Sequence, residues 1–496
     1  AEWHAYEVSE LRAAQLDGAI SAEELTRYFL DRIERLDDAL SSVLAIDPTA
    51  LDQARLLDQA LSSGQRPGPL HGIPVLIKDN IETKDQPTTA GSLLLANNHT
   101  ERDATLVAAL RSAGAVILGK TNLSEWANFR GNNSSSGWSS LGGQTRNPYD
   151  LTRTPCGSSS GSGAAVAAGL APIAIGTETN GSIVCPAAAN GTVGITPSVG
   201  LVSRTHIVPI SHSQDTAGPM TRSVADAAVA LAAMMTEDPA DPATAQRPEW
   251  AADSLISALE TASLKGLRIG VIRDLSNFHP DVLAVYDQAV EQLKSAGAVI
   301  VEDVSYSWPD GFWADAYTVL THEFLDSLNF YLTGVPDPAL NRLDLEALIE
   351  LNQQRSDEIL VWFGQEHFEA SEASGGTTDE DYLAALARVR EATGAQGIDR
   401  LLNEHDVDLL ISPSGGPAWK IDWINGDNFG GGSAGLAAIS GYPAITVPMG
   451  MVHGLPVGLS FFAGRFSEPA LISATRAFEQ RRGPLPRPTL EPTHAP

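Results

Sequence analysis

Residues 104–121, ATLVAALRSAGAVILGKT, change character half-way along. Apolar residues first recur at helical spacing. Gly114 then stops the helix, and the unbroken apolar run that follows reads as a buried strand. The same exchange recurs elsewhere. HGIPVLIKDNI (71–81) is a short apolar run ending in charge, and LRIGVI (267–272), AVIVEDV (298–304) and DVDLLIS (406–412) read as buried strands after helical or turn material. Such alternation calls for a layered α/β architecture, because neither a doubly buried strand nor an amphipathic helix can hide its apolar surface alone.

Residues 7–40 read as two helices. The second opens with Ser21 and Glu24, spaced as a capping box ahead of ELTRYFLDRIERL. AAVAAGLAP (164–172) reads as a small-residue helix feeding the strand IAIG (173–176), and SVADAAVALAAMM (223–235) as a helix. Residues 309–400 are mostly helical, with an acidic loop at 372–382, and the chain closes strand, strand, helix. A length of 496 residues leaves room for two to four domains, yet no linker divides the chain and no internal repeat is visible. Residues 126–163 are rich in Gly, Ser, Asn and Pro. Trp126, Phe129, Trp138 and Tyr149 predict that this loop is ordered, because disordered segments are poor in aromatics.

Lys and Arg number 32 against 61 Asp and Glu, a net charge of −29. Such a surface repels phosphate backbones and argues against nucleic acid as a partner. No apolar run approaches the ~18 residues of a membrane span. Cys156 and Cys185 are too few for a disulfide scaffold or a thiolate metal site. One bridge stays open, but the pair is expected to be two buried thiols. The opening AEWHAYEVSE has neither an initiator Met nor a signal-type apolar core. It fits a removed leader or a trimmed start, which leaves periplasmic, secreted and cytoplasmic locations open.

The chemistry sits in three places. GSSSG (157–161) matches the G-x-S-x-G of a nucleophile elbow, with Ser159 central, but the turn-rich NPYDLTRTPC before it is no strand. It also resembles a phosphate loop, though no Gly-Lys-Ser/Thr follows. Lys78 ends the strand at 71–81. Its stem could lie on the core with its head in water, or the amine could be desolvated, which lowers its pKa and makes it a base. Ser182, in the bare stretch GTETNGSIVCP (176–186), has no histidine within twenty positions. The eleven histidines are scattered and read as ordinary polar residues.

GSSSGS (157–162), the segment 176–204 and DTAGP (215–219) together resemble the amidase signature family. PLHGIPVLIKDNI, AGAVILGKTNLSEWA and the C-terminal ISGYPAITVPMG with GLPVGLSFFAG resemble its other blocks, in order and over nearly the whole chain. The resemblance implies one α/β domain over 1–496, with a mixed twisted central sheet covered by helices on both faces. Residues 60–235 would be the signature core, 309–400 a helical insertion, and 405–482 the strands and helix completing the core. It implies a Ser–cis-Ser–Lys triad of Ser182 as nucleophile, Ser158 as bridge after a cis Gly157–Ser158 peptide, and Lys78 as base. Backbone N–H groups of Thr179, Asn180, Gly181 and Ser182 would receive the oxyanion, with Asn128 and Phe129 beside the substrate. Asn180 departs from the Gly-Gly-Ser of many members.

SEWANFRGN, SGWSS, GGQTRNPY and PCGSSSGS look most like the bacterial peptide amidases, which hydrolyse C-terminal carboxamides. That implies a leaving-group side walled by the loop carrying Trp126, Phe129 and Trp138. An aryl or fatty acyl amide hydrolase, or the glutaminase subunit of a tRNA-dependent amidotransferase, remain alternatives. No cofactor and no metal are implied. The expected partner is a small-molecule or peptide amide, with no membrane insertion and a monomeric or homodimeric chain.

Overall fold

In a computed structural model, which describes residues 1–490, the strands are β1 (Val43–Ile46), β2 (Pro74–Lys78), β3 (Val116–Thr121), β4 (Trp138–Ser139), β5 (Gly143–Gln144), β6 (Ile173–Glu178) and β7 (Val193–Thr196). They continue as β8 (Thr216–Thr221), β9 (Arg268–Ile272), β10 (Val299–Val304), β11 (Leu409–Pro413), β12 (Ala444–Val452) and β13 (Leu455–Phe462). Eleven of these form one mixed sheet in the order β1-β3-β2-β6-β8-β7-β12-β13-β11-β9-β10, and β4 pairs with β5 in a separate hairpin. Helices cover both faces of the sheet.

Two parallel blocks, β3–β2–β6 and β11–β9–β10, flank an antiparallel centre. Parallel neighbours need a crossover, and helices supply it. Thr105–Ser112 lies between β2 and β3, Ser160–Ala167 precedes β6, and Pro280–Ser295 lies between β9 and β10. The helix expected from Ser21 runs Ala22–Leu40. Ser21 Oγ accepts from Glu24 N at 3.1 Å and Glu24 Oε2 accepts from Ser21 N at 2.8 Å, the reciprocal capping box.

Strands β2, β3, β6 and β11 are buried throughout, as their apolar runs predict, and β8, which has no such run, is buried as well. Residues 298–304 differ. β10 is the sheet's edge, Val299 is 42% exposed, and Glu302 and Asp303 face solvent. It pairs only with β9, and its charges blunt the free edge.

The loop 126–163 is ordered for a physical reason. The Arg130 guanidinium and Glu125 carboxylate form a fully buried ion pair. Arg130 also donates to Phe363 O at 3.0 Å and lies 4.0 Å from the Phe363 ring centroid, which ties the loop to residues 363–364. The segment 372–382 is mostly helical. A helix ends at Glu372, a single turn spans Gly376–Thr378, and the next helix starts at Glu380. Among the described residues no helix is long and apolar enough to cross a membrane.

Candidate active site

Lys78 is the last residue of β2, and its side chain is fully buried. It is not a strand-end lysine reaching water. Its Nζ lies 2.7 Å from Ser158 Oγ, 3.0 Å from Ser159 Oγ, 2.8 Å from Thr177 Oγ1 and 3.3 Å from Thr177 O. Every partner is neutral. Burial pushes the amine well below the usual lysine range, and the charges of Glu178 and Asp215 offset only part of that. An uncharged amine keeps a lone pair for a neighbouring hydroxyl proton.

Ser158 and Ser159 lead into the helix Ser160–Ala167 and are fully buried. The Gly157–Ser158 peptide is cis. A Cβ at Gly157 would sit 2.1 Å from Ser124 Oγ, so any larger residue there would have to displace that hydroxyl. Ser159, central in the G-x-S-x-G match, is held internally: its Oγ donates to Thr177 O at 3.0 Å and accepts from Thr177 N at 3.1 Å. With no strand delivering it, there is no elbow to present its hydroxyl.

Cys156 and Cys185 form a disulfide, with Cα atoms 5.9 Å apart. The expectation of two buried thiols is corrected. The reason is tertiary: the segment before the helix at 160 and the start of the helix Val184–Ala189 cross within bonding distance. The bridge ties the Ser158 segment to the Ser182 segment, and both cysteines line the cavity over Ser182. The N–H of Ser159, donating to Ser182 O at 3.2 Å, ties them a second time.

Ser182 follows the end of β6 in a half-buried loop. Gly181 has φ +92°, a left-handed value that a side chain would strain. Glu178 Oε1 accepts from Ile183 N at 2.9 Å and Val184 N at 3.0 Å, bracing the loop from inside. Asp215 braces it from the other side: Thr179 Oγ1 donates to Asp215 Oδ1 at 2.6 Å, and Gln214 Nε2 donates to Thr179 O at 3.1 Å. Burial pushes both carboxyls up in pKa. Neither acid was singled out in the sequence, although Glu178 stands four positions before Ser182.

A cavity of about 630 Å³ opens over Ser182. Gly157, Asn128, Phe129, Thr179, Asn180 and Gly181 line it, so the structure brings the expected pocket residues together. Trp126 and Trp138 are not in the lining. They pack edge-on against Phe368 and Phe363, with ring centroids at 5.4 and 5.6 Å. Of the expected aromatics only Phe129 lines the cavity, and the rest of the aromatic wall comes from Trp308, Trp313, Trp419 and Phe429, residues with no local signal in the sequence. His367 also lines the cavity, stacked on Phe129 at 5.1 Å, and burial lowers its pKa. The hydroxyl of Ser433, 5% exposed, is in the lining and has no hydrogen-bond partner among the described residues.

The family model for amidases matches residues 24–472. The chain belongs to the amidase family. This amidase is 37% identical to a probable amidase of Arabidopsis thaliana, over 95% of the chain and 89% of the relative. It is 36% identical to a glutamyl-tRNA(Gln) amidotransferase subunit from Salinispora tropica, over 98% of the chain and 99% of that protein. Among solved structures, the amidase resembles the native peptide amidase of Stenotrophomonas maltophilia, with a TM-score of 0.93 and 47% identity, covering 98% of each chain. The amidase is therefore a hydrolase acting on amides.

Proposed function

We propose that the protein hydrolyses the C-terminal carboxamide of peptides through an acyl-enzyme on Ser182. The observation that carries the chemistry is the buried Lys78 amine, 2.7 Å from Ser158 Oγ, beside the loop that holds Ser182. Ser182 Oγ attacks the carboxamide carbon. Its proton passes to Ser158, whose own proton passes to Lys78. Backbone N–H groups between Thr179 and Ser182 face the oxygen as charge develops. Collapse breaks the C–N bond, and the leaving nitrogen takes the proton held by Lys78 and departs as ammonia. Water then attacks the ester by the same route, releasing the carboxylic acid and restoring the Ser182 hydroxyl. All proton traffic is internal, and no histidine takes part.

The peptide as acyl partner is supported by the peptide amidase likeness at 47% identity and by an aromatic wall suited to peptide side chains. The test is a peptide amide and its free-acid twin, each incubated with the purified chain and read by mass spectrometry and ammonia assay. The amide is expected to become the acid, while the twin stays intact. Cleavage inside the peptide without ammonia release would overturn the assignment. The likeness to amidotransferase subunits supports a second reading, in which glutamine is the ammonia donor within a larger assembly. Ammonia release from peptide amides by the lone chain decides against it.

A further inference from the structure

A second cavity, of about 440 Å³, adjoins the nucleophile loop. The two cavities share Ala127, Thr179 and Ile210 in their linings, so one layer of residues divides them. Their other walls differ. Asn180, Gly181, Ser182 and Gly157 line only the first. The second is lined by Asn80 and Thr177, which belong to the Lys78 hydrogen-bond shell: Asn80 Nδ2 donates to Thr177 Oγ1 at 2.9 Å, and Lys78 Nζ meets the same oxygen at 2.8 Å. The second cavity thus lies on the amine side of the loop.

Acyl transfer makes that side distinctive. The leaving nitrogen must collect the proton held by the base, so it faces Lys78 and Ser158 while the acyl part extends away. A substituent on that nitrogen would run into the shared layer. Behind the layer, Ile207, Val208, Pro209 and Tyr331 give the second cavity an apolar surface. Its cations are already engaged, Arg204 with Asp241 at 2.9 Å and Arg102 with Glu82 at 2.7 Å. Asn80 and Thr216, which line it, are 4% and 3% exposed, and Asn80 Oδ1 and Thr216 Oγ1 have no protein partner among the described residues. Buried polar atoms call for a partner. The space suits a neutral, mainly apolar group.

We propose that Ile210 and Ala127 form the partition that restricts the leaving group to ammonia, and that thinning it opens the second cavity to secondary amides with small apolar N-substituents. The proposal rests on the terminal-amide reading. The reaction stays balanced: the Ser182–acyl bond forms as the C–N bond breaks, the amine leaves with the proton first held by Ser182, and water then gives the acid. Ala127 has φ +54°, so glycine there relieves the backbone as it removes the methyl. Ile210 is 7% exposed, and alanine there removes the larger part of the wall.

The test compares kcat/KM for one peptide amide and its N-isopropylamide in the wild type, Ala127→Gly, Ile210→Ala and Ala127→Gly with Val208→Phe, with thermal unfolding of each. The N-isopropylamide to primary-amide ratio is expected to rise about 10- to 100-fold in the thinned variants, the range one or two carbon groups command in a pocket. Val208→Phe, which fills the second cavity, is expected to cancel the gain. An unchanged ratio in a folded Ala127→Gly overturns the proposal, as does a gain that survives Val208→Phe. Absence of ammonia from the primary amide in the wild type removes the terminal-amide reading itself, and this proposal with it. The two failures are read in separate arms.

Discussion

Lys78 and Lys120 lie on neighbouring parallel strands, and both are buried. In register Lys78 stands opposite Thr121, and Ile77 opposite Lys120. Side chains alternate along a strand, so the two amines enter opposite faces of the sheet. On its face Lys120 meets Asp79 at 2.8 Å, with Thr88 Oγ1 at 3.0 Å and Pro87 O at 3.2 Å. On the other face Lys78 meets only hydroxyls and a carbonyl. One lysine is given a counter-charge and ties strands to loops. The other has none within hydrogen-bonding reach, and burial pushes its pKa well below the usual lysine range, the direction a proton acceptor needs. Burial alone does not make a base; the choice of partner does.

The sharpest way to break this comparison is to replace each amine by methionine. Lys78→Met is expected to lower kcat/KM about 10⁴-fold or more, because members of a catalytic unit fail together. Its thermal stability should hold or rise. The folded pKa lies below the unfolded one, so the native lysine is a stability cost wherever the unfolded chain keeps it protonated. A Lys78→Met protein with a clearly lower unfolding temperature would contradict the neutral amine. Lys120→Met should do the reverse. It leaves the Asp79 carboxylate buried and unpaired, at a cost of about 3–5 kcal/mol in denaturant unfolding.

The disulfide belongs to the serine segments beside Lys78, since Cys156 precedes Gly157 and Cys185 follows Ser182 by three residues. Reduction, or Cys156→Ser with Cys185→Ser, should cost about 2–4 kcal/mol of stability, seen as an earlier unfolding midpoint. Ammonia release should suffer before the fold is lost. An enzyme equally active with dithiothreitol at temperatures below unfolding would show that the bridge does not set the serines' aim. The gentlest test is pH. Activity should be level above the Lys78 pKa and fall about tenfold per unit below it, as the amine gains its proton. Measured on kcat/KM, that limb should be absent for any residual rate in Lys78→Met.

Much of this was legible in local pattern. The capping box at Ser21 and Glu24, the apolar run ending in Lys78 and the Gly114 stop each fix an element through neighbours a few residues apart. AVIVEDV was legible as a strand but not as an edge, because its apolar run says nothing about how many partners it has. The pocket was legible only in part. Phe129 reaches the cavity while Trp126 and Trp138, in the same loop, turn into the packing around Phe368 and Phe363. Nothing in the spacing of three aromatics says which faces a void.

The sequence by itself determined the elements with a strong local signal, such as the helix opening at Ser21 and the strand ending in Lys78, because periodicity and turn chemistry act over a few residues. By resemblance it also marked Lys78, Ser158 and Ser182. The tertiary structure alone decided that Lys78 meets a hydroxyl 80 positions away and that Cys156 closes on Cys185 across 29. It alone decided that residues from 308 to 429 wall the cavity. These contacts depend on the order and register of strands in the sheet, which arise from packing the whole apolar surface at once, and no local stretch of chain carries that information.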